Sequence, residues 1–240
     1  MDALIDSGEI KQIIVVTDGM TNLGISPIEA ARKAYDAGIT VSTIGIINLK
    51  NSSNEKDVEE VKKIAKAGGG LWEYSSIEDL DKIIQKLTHK TARSTIEQIV
   101  GRQLKVIIGE EIEDLELKSR IKIVDFIEKY GENINLKCIL VFDTSESMRG
   151  KLDILKRSVI KLHESLQRRK GKSSIAVITY PGGNIDMCSI ICDFTSDISI
   201  LGQKLEIICS GKDTTVGPAI LKACELMHQY YEVCDADISG

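Results

Sequence analysis

No stretch of this 240-residue chain approaches the roughly 18 consecutive apolar residues that cross a bilayer. The opening MDALIDSGEIKQ also lacks the basic-then-apolar order of an export signal, so the expectation is a cytoplasmic protein with no membrane association. There is no surplus of positive charge either: 31 Lys and Arg face 36 Asp and Glu, a net −5, and no overall field draws the chain to nucleic acid. The six cysteines form no CxxC pair and fall mostly in apolar segments, which favours reduced core thiols over disulfides or zinc. Cys188 and Cys192, four apart, are expected on the same side of a strand. Neither GxGxxG nor GxSxG occurs, which removes support for dinucleotide binding and serine hydrolysis. The three histidines, His89, His163 and His228, fall within expected helices away from strand ends and read as helix-surface residues rather than bases.

What is present is regular alternation. With 42% hydrophobic and 28% charged residues the chain can bury a substantial core, as one large domain or two small ones. Gln12 to Thr17 is apolar and β-branched, as in a strand buried on both faces of a parallel sheet. Ser26-Pro27-Ile28-Glu29 reads as a capping box opening a helix that Gly38 ends. A strand from Thr40 to Ile47, a helix from Val58 to Ala67, a strand from Leu71 to Tyr74 and a capped helix from Ser76 to about Leu87 continue the series. This β-α repetition predicts right-handed crossovers and a parallel sheet.

From His89 to Asn135 the period changes. Ile96, Ile99, Val100, Leu104 and Ile107, then Ile121, Val124 and Ile127, recur at helical spacing around the acidic run GEEIEDLE, predicting two amphipathic helices and a solvated turn. Alternation resumes with a strand from Cys138 to Phe142, a helix from Lys151 to Gln167, a strand from Ser174 to Thr179 and the turn Pro181-Gly182-Gly183-Asn184. The strand Cys188 to Cys192 follows too closely for a crossover helix and should be an antiparallel edge strand. Helices over Ile198 to Ile207 and from Pro218 to about Tyr231 close the ordered part, and residues 232–240 read as a flexible tail. Arg168-Arg169-Lys170 is expected to complement the dipole of the helix it ends. Gly171-Lys172-Ser173 imitates the end of a phosphate-binding loop, but lacks its leading glycine and follows a helix.

Two expected strands end in an aspartate, in IIVVTDG at Asp18 and in ILVFDTSESMRG at Asp143, and the loop Asp213-Thr214-Thr215 opens a helix at a similar edge. In open α/β sheets ligands gather at the carboxyl ends of the strands, where the winding reverses. Asp and Ser/Thr oxygens without histidine or thiolate favour Mg²⁺ or Mn²⁺ over zinc or copper.

The DTSES stretch, with Asp143, Ser145 and Ser147, resembles the DxSxS motif of von Willebrand factor A (vWA) domains, their metal-ion-dependent adhesion site. The family's threonine ahead of its third helix is matched by Thr214, with Thr215 as rival, and its strand-end aspartate in a TDG turn by Asp18. The resemblance implies a Rossmann-like α/β fold, a doubly wound, mostly parallel six-stranded sheet with one antiparallel edge strand. It also implies a metal site of Asp143, Ser145, Ser147, Thr214 and Asp18 holding Mg²⁺ (or Mn²⁺). The motifs stand in the reverse of the family's order, so the chain resembles a circularly permuted vWA domain, as found in small proteins of spore-forming bacteria. Residues 1–88 would supply the family's C-terminal half, 89–135 a helical connector and 136–231 the N-terminal half, together one domain. The implied function is not an enzyme but a protein-interaction module whose metal accepts an exposed Asp or Glu of a partner protein, in a monomer or a half-swapped homodimer. Two alternatives stand beside it: a metal-dependent phosphoryl-transfer or hydrolase enzyme, and a scaffold acting through the connector.

Overall fold

A computed structural model describes residues 8–19, 23–47, 55–182, 187–211 and 214–236, without the side chains of residues 55–58 and 230–236. Strand β1 (Glu9–Thr17) is buried along its apolar run and is followed by helix α1 (Pro27–Asp36). Then come β2 (Thr40–Ile46), α2 (Glu55–Ala67), β3 (Gly69–Ser75), α3 (Leu80–Ile108), α4 (Leu117–Asn133) and β4 (Asn135–Asp143). A 3₁₀ turn over Glu146–Lys151 leads into α5 (Leu152–Leu166), and β5 (Ser173–Tyr180), β6 (Ser189–Thr195), α6 (Ile198–Leu205) and α7 (Val216–Ala236) complete the chain.

The six strands stand in the order β3-β2-β1-β4-β5-β6, all parallel except β6, which runs antiparallel to β5 at the edge. Alternate side chains of each strand serve two cores. Ile14, Val16, Leu140 and Phe142 face α3, α5 and α6, through residues such as Leu87, Val159 and Leu201. Ile13, Val15, Ile139 and Val141 face α1, α2 and α7, through Ala31, Ile64 and Ile220. A sheet covered on both faces explains why its central strands are apolar without interruption. The expected α/β class, with its mixed six-stranded sheet, is the one observed.

Several local expectations are corrected. Ser26 precedes α1 but makes no side-chain cap, and Glu29 pairs instead with Lys33 at 2.9 Å. The helix expected to end near Leu87 does not end there: α3 runs unbroken through 29 residues into the connector, closing at Gly109 in the left-handed region (φ 77°). Within the pair of helices joined there, Ile96 and Ile127 are buried, whereas Ile107, Ile121 and Val124 are exposed. Cys188 and Cys192 do not share a side. Cys188 joins the core of α1 and α7 and Cys192 that of α5 and α6, because the β5–β6 register shifts near Val177 and a bulge reverses the alternation. Cys209 is exposed rather than a core thiol, and His163 is buried rather than on the helix surface, its Nε2 2.9 Å from the Ser196 carbonyl. Helix α7 continues through Ala236, into the segment expected to fray, with no glycine or proline between Pro218 and Ala236 to stop it. Gly183, Asn184 and Asp213 lie outside the described residues, as does the Cys234 side chain.

Candidate metal centre

The carboxyl ends of β1 and β4 lie side by side, with Val16 opposite Phe142, so the next residues of each strand emerge together at the sheet edge. Thr17 donates its hydroxyl to Asp143 Oδ2 at 3.2 Å, while Asp143 Oδ1 accepts the backbone N–H of Ser145 at 2.8 Å. Beyond them, the Ser147 hydroxyl donates to Asp18 Oδ1 at 2.8 Å. That uses Ser147's one proton, so the 3.0 Å bond between Ser145 and Ser147 is donated by Ser145. The four residues Asp18, Asp143, Ser145 and Ser147 thus form one connected set, drawn from positions 129 apart in sequence.

The loop before α7 is fastened to the same edge. Thr144 donates its N–H to the Tyr180 carbonyl at 2.7 Å, and its own carbonyl accepts the N–H of Gly211 at 2.8 Å. Gly211 comes so close to Pro181 that a Cβ there would lie 2.2 Å from Pro181 Cγ, which makes glycine a requirement of this contact. At the far end of the loop, Gly217 passes the Ile25 carbonyl with no room for a side chain. Thr214 lies half-buried between these two anchors, whereas the hydroxyl of Thr215 is turned to the carbonyl of Met187. The second threonine is therefore already engaged in holding the β6 entry.

The electrostatics are uneven. Asp143 is fully buried, and burial pushes its carboxyl up to about 6, with the nearby charge of Asp18 adding to the rise and bonds from Ser145 and Thr17 opposing it. Beneath it Tyr180 is buried and its phenol is driven well above its ordinary value, by desolvation first and by Asp143 second. Among the described residues the cation bonded to either carboxylate is Lys151, whose Nζ sits 2.5 Å from Asp18 Oδ2 in a largely enclosed pair. Two hydroxyls and two carboxylates, one of them a buried acid with no cation of its own, are suited to a small hard divalent ion. No three His, Cys, Asp or Glu side chains cluster among the described residues, so the donor set is one of hydroxyls with isolated carboxylates.

Sequence reasoning missed Thr17 and Lys151. Thr17 carries a legible signal, being the last residue of the strand beside Asp143, but Lys151 reaches Asp18 only because the 3₁₀ turn tightens the path from Ser147.

The sequence pattern of the von Willebrand factor type A domain matches residues 6–90. Over 220 residues the chain is 32% identical to the uncharacterized protein YabS of Bacillus subtilis, covering 91% of this chain and 89% of that protein. The chain belongs to the von Willebrand factor type A family. A crystal structure of an uncharacterized protein from Alicyclobacillus acidocaldarius superposes with a TM-score of 0.85 at 33% identity, covering 95% of this chain and 97% of the other. Proximal thread matrix protein 1 of the mussel byssus, in a structure with a zinc-occupied adhesion motif, reaches only 13% identity and a TM-score of 0.29, too slight a likeness to inform the site. The vWA fold is one of metal-dependent adhesion and protein interaction, and its domains bind a divalent metal at the adhesion site.

Proposed function

We propose that this vWA protein is a divalent-metal-dependent interaction module. Ser145, Ser147 and Thr214 would hold Mg²⁺ or Mn²⁺ through their hydroxyls, with Asp143 and Asp18 acting through water, and a partner protein would complete the shell with an exposed Asp or Glu. The observation that carries this is the bonded set Asp18–Ser147–Ser145–Asp143 at the shared edge of β1 and β4. When bound, the metal supplies a centre of positive charge that accepts an outside carboxylate. A shell of hydroxyls leaves the ion less neutralised than one of carboxylates, and so a better acceptor for that carboxylate. The chain's own residues orient it: Thr17 and Ser145 fix the rotamer of Asp143, and Ser147 fixes Asp18.

The position two residues after Asp143, where a phosphoryl-transfer enzyme would want a second carboxylate as acid and base, is Ser145, which supports a binding role over an enzymatic one. The strand arrangement supports a circular permutation. The half carrying the TDG turn comes first in the chain, the DxSxS half comes last, and α3 with α4 joins what would be the family's ends. We favour closure of the site within one chain, as drawn by the β1–β4 pairing, and a cytoplasmic location.

The test is titration calorimetry of Mg²⁺ and Mn²⁺ into wild type and Asp143→Ala, with molar mass measured by light scattering on the same samples. One ion per chain in wild type, none in the variant and a monomeric mass are expected. Equal metal affinity in Asp143→Ala would overturn the assignment, and a dimeric mass would move the closure to a half-swapped pair.

A further inference from the structure

At the opposite edge of the sheet, a cavity of about 570 Å³ opens between α3, α4 and the turn after α5. Its floor is apolar, made of Ala92, Ile96 and Ile127. Its rim is not: Arg93, Arg168, Arg169 and Lys170 outnumber Glu128 and Glu132, in a chain whose overall charge is −5.

Arg169 is the centre of the observation. The sequence suggested that it would complement the end of its own helix. Instead it reaches across to α4, donating from Nη2 to the carbonyls of Gly131 (2.6 Å) and Ile134 (2.9 Å) and from Nη1 to Ser173 Oγ (2.9 Å). All of these partners are neutral. No carboxylate among the described residues lies within 4.0 Å of this guanidinium, which is half-buried and whose pKa is lowered by desolvation. A helix C-terminus offers only a fraction of a negative charge, and enclosed cations are ordinarily matched by a full one. Next to it, His89 contacts Ser165 Oγ at 3.2 Å, and burial followed by the charge of Arg169 lowers its pKa. The neighbouring pairs are already closed: Arg93 is bound to Glu97 and Glu128, and Lys170 lies 3.7 Å from Glu132. Both acids of the rim are thereby engaged by other cations, leaving Arg169 facing the cavity without a counter-charge.

We propose that this cavity is a second ligand site, separate from the metal centre, which takes a small organic phosphate whose oxyanion pairs with Arg169, Arg168 and His89 and whose body occupies the rest of the cavity between α3 and α4. The volume lies within the range of small-molecule sites and far exceeds what a bare phosphate fills. A phosphate fits the planar donor fork of arginine, and each charge-assisted bond formed away from bulk water is stronger than a neutral one. The accessible lining is more apolar than polar, which gives an organic ester an advantage over the free ion.

The test uses the full chain in chelator, so that the metal centre takes no part, with phenyl phosphate, adenosine monophosphate and inorganic phosphate as calorimetric probes. One organic phosphate per chain is expected, bound at least about fivefold more tightly than inorganic phosphate, since each apolar group buried adds a factor of a few. Removal of Arg169 would free α4 and could unfold the protein, so the variants are Arg168→Gln/Lys170→Gln and, separately, His89→Gln. The double variant should lose about tenfold in affinity with its melting temperature unchanged. In wild type the His89 ring resonances, followed by NMR, should titrate at higher pH when the probe is bound, because an anion reverses the effect of Arg169. Asp143→Ala should bind the probes as wild type does. The proposal is overturned if no organic phosphate saturates, if inorganic phosphate binds equally well, if the double variant or His89→Gln binds unchanged, or if Asp143→Ala abolishes binding.

Discussion

Replacing Asp143 by asparagine should stabilise the metal-free protein at neutral pH while destroying its metal site. The carboxyl is fully buried and its pKa is raised from 3.8 to about 6. A raised acid pKa means that the folded state holds this proton more tightly than the unfolded one. The resulting penalty is fully present above pH 6 and is relieved as pH falls towards 3.8. A rise of just over two pH units corresponds to about 3 kcal/mol at pH 7.5. Asparagine escapes it without leaving an orphan. Thr17 has one hydroxyl proton and two acceptors, Asp143 Oδ2 and the Gly19 carbonyl at 2.8 Å; an amide NH₂ would donate to Thr17 and leave that proton for Gly19. Urea unfolding in chelator should therefore show a midpoint about 1 to 1.5 M higher for Asp143→Asn at pH 7.5, taking a slope of about 2–3 kcal/mol/M. The gap should shrink to about 0.5 kcal/mol by pH 4, where wild type is protonated in the folded state. A variant no more stable than wild type at pH 7.5, or a gain that does not fade on acidification, would refute the account of Asp143 as a strained, cation-seeking group.

Lys151→Met removes the ammonium bonded to Asp18, a charge that competes with a divalent ion, and should tighten Mg²⁺ binding by about tenfold in calorimetry, whereas Lys151→Arg should behave as wild type. Weaker binding in Lys151→Met would show that the lysine positions Asp18 rather than opposing the metal. Gly217→Ala would place a Cβ 2.0 Å from the Ile25 carbonyl, so α7 must shift; a loss of about 1–3 kcal/mol in thermal unfolding and reduced metal affinity through Thr214 are expected. Phe142→Ala, at a fully buried position one residue before Asp143, should lower stability by about 3–5 kcal/mol in denaturant titration.

The sheet was legible because each central strand is an unbroken apolar run, a pattern that burial on both faces imposes directly. That the four residues of the candidate site would meet was legible for a related reason: Asp18 and Asp143 stand where such runs stop, and strand ends that neighbour one another bring their next residues together. What escaped depends on geometry that residue spacing does not carry. A one-residue register shift in β6 sent Cys188 and Cys192 to opposite cores. The junction near Leu87 showed no helix stop because there is none; no proline lies between Leu80 and Ile108, and α3 runs on. His163 read as a surface histidine because it lies in a helix away from the strand ends, but α6 and the Ser196 carbonyl cover it, on the same face as Val159 and Leu166. Arg169 was placed on the correct turn and assigned to the wrong helix, since its reach is set by the tertiary approach of α4.

The pairing of β1 with β4 joins residues about 126 positions apart, as between Thr17 and Asp143. On a ribosome adding about 5–20 residues per second, that separation corresponds to roughly 6–25 s between the emergence of one strand and the other. Throughout that interval β1 can pair with β2 on one side while its other edge, a row of unpaired N–H and C=O groups on an apolar strand, has no partner to cover it. The nascent first half is therefore the most vulnerable state of this protein. Metal capture during synthesis cannot protect it, because all three of the hydroxyls and one of the two carboxylates have not yet been made.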